Sequence, residues 1–135
     1  MMKAKTALSK KHWILMISIS ALLVISVLIT LFVSAHSTMV SEMLFIKSAP
    51  DVKLYNDRWI VGNFIENVRE KYGDFSRNKY GAFDGSYGEN GGTVGYYIGT
   101  DENFLDPTHS PMYYWMHYDS DKIVTEVYIE TLPGG

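Results

Sequence analysis

The sequence predicts an α+β fold in which an N-terminal transmembrane helix precedes a short helical layer packed on a three- to four-stranded antiparallel sheet. Three observations predict it. A long uncharged run lies near the N-terminus, one short segment after it has the periodicity of an amphipathic helix, and the remainder alternates between aromatic or β-branched runs and turn residues. The 135 residues include no cysteine, so the folded part must be stabilised by packing, without disulfides.

The transmembrane helix is predicted over residues 13–35. Its centre, Trp13–Val33, has no charge, glycine or proline, and a helix of that length spans about 31 Å, which matches the hydrocarbon core of a bilayer. Residues 1–12 form a basic tail with four lysines and no acidic residue. This bias predicts a single-pass protein of the cell membrane, with its N-terminus in the cytoplasm and its C-terminal domain outside.

Cleavage of this segment after Ala35 is the alternative. Val33, Ser34 and Ala35 have the small-residue spacing that a signal peptidase accepts, and cleavage would release a secreted binding protein. The apolar run is longer than the roughly 7 to 15 residues of a signal-peptide core. Its length favours a retained anchor.

The charge balance after the apolar run narrows the classes of partner. Eight Lys and Arg residues stand against all fifteen Asp and Glu residues of the chain. Because phosphate binding requires a basic surface, this acidic portion argues against a nucleic-acid partner. The predicted partners are the lipid bilayer, through Trp13–Val33, and a protein of the cell envelope.

Residues 36–57 are predicted to be a juxtamembrane linker. Within it, Ser37–Lys47 has the composition of a short helix, and Ser48–Asp57 reads as a connector because Pro50 disfavours helical geometry in the residue before it. The apolar patch at residues 43–46 is expected to rest on the bilayer surface or on the domain.

The folded extracytoplasmic domain is predicted over residues 58–135, and it begins with a helix. Asn63 and Glu66 have the spacing of a capping box, in which the Asn side chain accepts from a helix amide and the Glu reaches back. Phe64, Ile65, Val68 and Tyr72 then recur on one face. Gly73 is expected to end the helix with a positive φ.

Strands and loops follow this helix. The segment 84–92 is rich in Gly and Asn and is predicted to be a mobile loop, whereas 99–111 is predicted to be the longest ordered loop. A four-residue connection at 119–122 should join the last two strands as a hairpin, with the helix covering its apolar side. The predicted strands are Ser76–Phe83, Thr93–Ile98, Met112–Tyr118 and Ile123–Thr131.

Three short patterns resemble the SmpA/OmlA (BamE-like) small envelope domain and its membrane-anchored, uncharacterised Gram-positive members. These are the run Trp59–Gly62, the helix end Tyr72–Phe75 and the tyrosine-rich closing hairpin. The resemblance covers Trp59–Thr131 and implies helices on a three-stranded sheet that act in assembly or protein contact, without catalysis. The chain departs from the family in lacking a lipoprotein cysteine and in its insertions at 84–92 and 99–111.

A contact surface is predicted among the aromatic residues of the strands, because their rings can anchor proteins or stack on sugars. Strand neighbours face opposite ways, so about half of these rings should instead form the core, and the sequence leaves open which face of Met112–Tyr118 is buried. The predicted binding-surface residues are Tyr96, Tyr97, Tyr113, Tyr114, Trp115 and Tyr118.

Catalysis is the less favoured class of function. A small envelope hydrolase or a metal-binding protein would use His109 and His117, with Ser110 or nearby acids as partners. No spacing requires such a site, and neither acidic loop follows the ligand order of a calcium-binding loop. We therefore predict a nonenzymatic protein with no catalytic residues, metal site or cofactor. The loop acids considered are Asp84, Glu89, Asp101, Glu102 and Asp106.

Overall fold

The computed structural model describes residues 2–43, 45–101 and 109–132, with side chains from residue 9 onward. It divides into two units, Met1–Ser34 and Ala35–Gly135. The first is helix α1, Met2–Ala35, so the basic tail continues the same helix as the apolar run. The portion Ser9–Ala35 is long and apolar enough to cross a membrane, a property that an anchor shares with a signal sequence.

The second unit has the α+β architecture that the sequence predicts, with one antiparallel sheet of five strands. Its helices are α2 Ser37–Glu42, α3 Asp57–Ile60 and α4 Ile65–Tyr72, and its strands are β1 Ile46–Ser48, β2 Arg77–Asn78, β3 Gly92–Asp101, β4 Pro111–Tyr118 and β5 Val124–Thr131.

The sheet has the order β1-β3-β4-β5, with β2 pairing with β3 beside β1. Two short strands therefore share one long edge of β3: β1 pairs with Gly99–Asp101, and β2 pairs with Val94 and Gly95. The hairpin of β4 and β5 is confirmed, and the Asp119 carboxylate accepts the amides of Asp121 and Ile123 in its turn.

The segment 36–57 belongs to the second unit and supplies Met39, Ile46 and Tyr55 to its core. The helix predicted over Ser37–Lys47 is wrong beyond Glu42, because residues 46–48 pair with β3 as strand β1. Gly99 makes this approach possible: a Cβ there would lie 2.0 Å from the carbonyl oxygen of Lys47.

The capping box predicted at α4 is wrong. Asn63 Oδ1 accepts from the amide of Phe64 and from Asn67 Nδ2, while the Ile65 amide donates to the backbone oxygen of Lys122 at 2.8 Å. The hairpin turn thus takes the role of a side-chain cap. A side-chain cap occurs instead at α3, where Asn56 Oδ1 accepts from the amide of Trp59. Gly73 ends α4 at a φ of 97°, as predicted.

The strand predicted over Ser76–Phe83 is correct only at β2. The chain reverses after Asn78, which bridges back to Gly81. Among the described residues, helices and strands enclose one hydrophobic core, in which Ile60, Ile65 and Val68 of the helical layer pack against the sheet. The predicted cover of the sheet's apolar side by α4 is therefore observed. Phe64, predicted on the same apolar face, is instead 53% exposed.

Candidate binding groove on the outer sheet face

The alternation of β4 defines the two faces of the sheet. Met112, Tyr114, Met116 and Tyr118 point into the core and are at most 8% exposed. Tyr113, Trp115 and His117 belong to the opposite face, which we call the outer face. The choice that the sequence left open is thus decided by the helices that pack on the first set.

Four of the six predicted binding-surface residues are buried. Tyr96, Tyr114 and Tyr118 lie in the core, and Trp115 is fully buried although it belongs to the outer face. Tyr97 is 40% exposed and Tyr113 is half-buried, with their ring centroids 5.6 Å apart. Of the six predicted residues only these two have rings that are not buried, and neither lines the groove described below, whereas the buried Tyr118 borders it.

Three of the buried rings form a stack that explains their burial. Tyr55 lies between Tyr96 and Tyr114, with both centroid distances 4.8 Å. The hydroxyl of Tyr96 donates to the Gly73 carbonyl and that of Tyr114 to the Asp57 carboxylate. Burial raises the pKa of Tyr55, Tyr96 and Tyr114. These tyrosines hold the core together.

Trp115 is covered on the outer face by its neighbours. Its ring stacks on Tyr113 at 5.0 Å, and its Nε1 donates to the Glu130 carbonyl. Gly95 faces it across the ladder, where a Cβ would lie only 2.5 Å from Trp115 Cε3. The glycine thus leaves the space that the indole fills.

Beside this covered region, the outer face opens into a groove of about 710 Å³, which we call the outer groove. Its floor is formed by β3, β4 and β5, and its walls by the turn after β2 and the loop 84–91. The side chains that line it and carry polar groups or rings are Asn78, Lys79, Tyr80, Asp84, Ser86, Tyr87, Thr93, His117, Tyr118, Glu126 and Tyr128.

The loop wall is fastened to the sheet, in contrast to the mobile loop predicted over 84–92. Lys122 Nζ donates to the carbonyls of Gly88 and Glu89, and the Gly88 amide donates to the Tyr118 hydroxyl at 3.1 Å. The reason is tertiary: the hairpin turn brings Lys122 under backbone carbonyls 33 and 34 residues earlier in the chain.

Two further contacts hold the same wall. Asp84 accepts from the amide and hydroxyl of Ser86, and these hydrogen bonds lower the pKa of Asp84 and favour its charged form. Tyr87 donates to Glu66 of α4, and burial, together with this bond, raises the pKa of Tyr87 to about 12. The loop wall of the groove is therefore defined by side-chain contacts.

The opposite wall carries a cation and an exposed ring. Lys79 Nζ donates to the Tyr128 hydroxyl at 2.9 Å, lies 3.7 Å from Glu130, and has its pKa raised mainly by the Tyr128 bond. Tyr80 follows it and is 90% exposed. Glu126 on the floor is exposed and forms no ion pair with the described residues. The groove thus offers both charges and an accessible ring.

The two histidines of the hydrolase alternative do not meet. His117 lies on the groove floor, where its Nδ1 is 2.9 Å from Thr93 Oγ1. His109 lies just before β4, and Pro111 and His117 are about 20 Å apart along that strand. Ser110 accompanies His109 at the far end, so a site combining both histidines is not assembled.

The acidic loop residues are likewise dispersed. Within residues 2–43, 45–101 and 109–132, no three His, Cys, Asp or Glu residues lie in an arrangement that could hold a metal ion. Asp84 is engaged by Ser86, and Glu89 is exposed on the anchored loop. Glu102 and Asp106 lie outside the described residues, whereas Asp101 ends β3.

Several groove residues escaped the sequence prediction, which selected rings only within the long strands. Tyr80 belongs to a segment predicted as strand, and Lys79 and Glu126 looked like ordinary solvated charges. The available signal was the turn-forming run after Asn78, which could have indicated an exposed tip carrying Tyr80.

Comparisons with protein-family models, curated proteins and solved structures find no match for this chain.

Proposed function

We propose that the protein is a single-pass, membrane-anchored module that binds an envelope protein on the extracytoplasmic side and is not an enzyme. The observation that carries this proposal is the outer groove, whose walls are fastened and whose floor presents Glu126 and His117 beside Tyr80. A preformed concave site with a few convergent polar groups is typical of ligand recognition. The anchor would confine its partners to the vicinity of the membrane.

A binding role is favoured over hydrolysis by the distribution of reactive groups. His117 has a hydroxyl partner in Thr93, but His109 and Ser110 lie at the other end of β4. The α+β layout is also the one that the resemblance to BamE-like domains implies, and those domains serve in contact and assembly. Membership of the BamE-like family is part of the same proposal.

Membrane orientation can be tested by cysteine labelling, because the chain has no cysteine of its own. We expect Ser120→Cys, in the hairpin turn, to react in intact cells with a maleimide that cannot cross membranes. Ser9→Cys, in the basic segment before the apolar run, should react only after the membrane is opened. Labelling of Ser9→Cys alone in intact cells would reverse the proposed topology, and a labelled chain in the medium that lacks α1 would indicate cleavage.

Groove binding can be tested by photo-crosslinking in the membrane. A benzophenone amino acid at Tyr80, which is 90% exposed, should form a discrete adduct with an envelope protein that mass spectrometry identifies. The matched control carries the same group at Phe45, which is 71% exposed and outside the groove. Adducts of equal yield and identity at both positions, or no adduct at Tyr80, would refute the groove as the binding site.

A further inference from the structure

The edges of the two outer long strands, β3 and β5, differ in whether another strand pairs with them. The edge of β3 is paired by β1 and β2, whereas β5 pairs only with β4 within the described residues. The first residue of β5 is also covered: the Val124 amide donates to the Asn63 carbonyl, and the Gly62 amide donates to the Val124 carbonyl. The remainder of β5 has no backbone hydrogen-bond partner other than β4 among the described residues, and helix α2 lies close to this strand.

The hydrogen-bond register shows which backbone groups this edge presents. The Leu132 amide donates to the Pro111 carbonyl at 3.2 Å, so the backbone amide and carbonyl of Leu132 point toward β4. Bonded and non-bonded pairs alternate along an antiparallel ladder. The amides and carbonyls of Val127, Ile129 and Thr131 therefore point away from β4, and none of them is hydrogen-bonded to a described residue.

Free edges of this kind invite another strand, and proteins often protect them with proline, a central bulge or a covering segment. Residues 124–131 contain no proline, and the bulge opposite His117 and Tyr118 lies at the start of β5. The open stretch carries charge instead, through Glu126 and Glu130 on the outer face. Charge repels a strand of the same sign and attracts one of the opposite sign.

We propose that the β5 edge binds an extended segment of a partner protein by strand addition, and that this segment carries basic residues at alternate positions. This inference rests on the proposed function as an interaction module and names its mode of contact. In the added strand, basic side chains would lie opposite Glu126 and Glu130 on the outer face. Apolar side chains would lie opposite Val127 and Ile129, which are half-buried at the margin of the core.

A second copy of the chain fits this edge less well. Antiparallel pairing of two β5 strands centred on Tyr128 would place Glu126 opposite Glu130 twice, and like charges directly opposite are destabilising. Lys79 lies 3.7 Å from Glu130 and offsets part of one charge, whereas Glu126 has no ion pair in the described part of the chain. In this register the edge is thus better suited to a basic strand than to itself.

The test uses the full chain in detergent micelles and a fluorescent peptide with the core Lys-Val-Thr-Val-Lys flanked by threonines. This pattern reads the same in both directions, so it matches β5 in a parallel or an antiparallel alignment. We expect the peptide to bind and a Glu-Val-Thr-Val-Glu peptide not to bind. Glu126→Gln and Glu130→Gln should each weaken binding about twofold to fivefold, and added salt should weaken it further.

Ile129→Pro tests the edge directly, because it removes an outward amide that makes no contact with β4. It should weaken peptide binding about tenfold or more, through the lost hydrogen bond and the bulk of the ring. Circular dichroism and the thermal midpoint check that the fold persists. If this variant does not fold, the double change Glu126→Lys and Glu130→Lys remains, and it should reverse the preference toward the acidic peptide; Glu70→Lys, an exposed acid on α4, is its matched control.

The outcomes separate this inference from the proposed function. Failure of the basic peptide to bind, together with a specific Tyr80 adduct in cells, would refute strand addition and leave the interaction module standing. Binding that Ile129→Pro leaves unchanged would assign the peptide to another surface and overturn the inference. Dimerisation that Ile129→Pro abolishes would assign the edge to a second copy and overturn it too. Absence of both the peptide complex and the adduct would refute both proposals.

Discussion

Asp57→Ala should lower the free energy of unfolding of the second unit by about 3 kcal/mol or more. Asp57 is 8% exposed, and its carboxylate accepts from the Tyr114 hydroxyl at 2.7 Å and from the Thr38 amide at 2.9 Å. Alanine would leave both donors unpaired in or near the core, and each such donor costs about 1–3 kcal/mol. Urea unfolding of the full chain in micelles measures the change.

Two controls distinguish the effect of losing buried hydrogen bonds from the effect of losing a negative charge alone. Asp51→Ala removes an exposed carboxylate in the same segment and should change stability by less than about 0.5 kcal/mol. Tyr114→Phe removes only the donor hydroxyl, so its effect should be smaller than additive when combined with Asp57→Ala. Equal effects of the Asp51 and Asp57 changes would show that Asp57 does not hold α2 to the core.

Raising the pH from 10 to 12 should strongly destabilise the second unit. An unfolded tyrosine has a pKa of about 10, whereas burial raises the pKa of Tyr55, Tyr96 and Tyr114. In this window the unfolded chain binds fewer protons than the folded one, so stability falls as pH rises and is fully present below pH 10. Each buried tyrosine should contribute a slope on the order of 1 kcal/mol per pH unit.

The measurement is the urea midpoint as a function of pH, followed together with tyrosinate absorbance. Tyr96→Phe should make the decline shallower, because one buried hydroxyl is removed. Tyrosinate from the buried rings should therefore appear together with unfolding. A stability that stays constant between pH 10 and 12 would contradict the burial of these rings.

Part of the site could be predicted from the sequence and part could not. The alternation of Met112–Tyr118 predicted that half of the rings would be buried, but the six predicted residues included Tyr96, Tyr114, Trp115 and Tyr118, which are buried. Trp115 shows why alternation is insufficient. It lies on the outer face, yet Tyr113 of the same strand stacks on its ring and Gly95 of β3 leaves the space that the ring fills. No local pattern records the glycine on the neighbouring strand.

The segment 36–57 makes the same point. Its mixed composition and Pro50 predicted a linker, but Tyr55 lies within the tyrosine stack and Asp57 reaches both Thr38 and Tyr114. A buried acid surrounded by donors has no local signature, because its partners lie 19 and 57 residues away. The anchoring of the loop 84–91 by Lys122 is hidden from sequence for the same reason.

The sequence by itself determined the apolar N-terminal helix, the α+β class, helix α4 with its glycine stop, and the closing hairpin. Each of these follows from local periodicity or from a turn residue, so neighbouring positions in the chain suffice to predict it. Tertiary structure alone decided which face of β4 is buried, where the outer groove opens, and that the β5 edge stays free while the β3 edge is paired. These features depend on contacts between residues distant in the chain, whose register and packing no local pattern specifies.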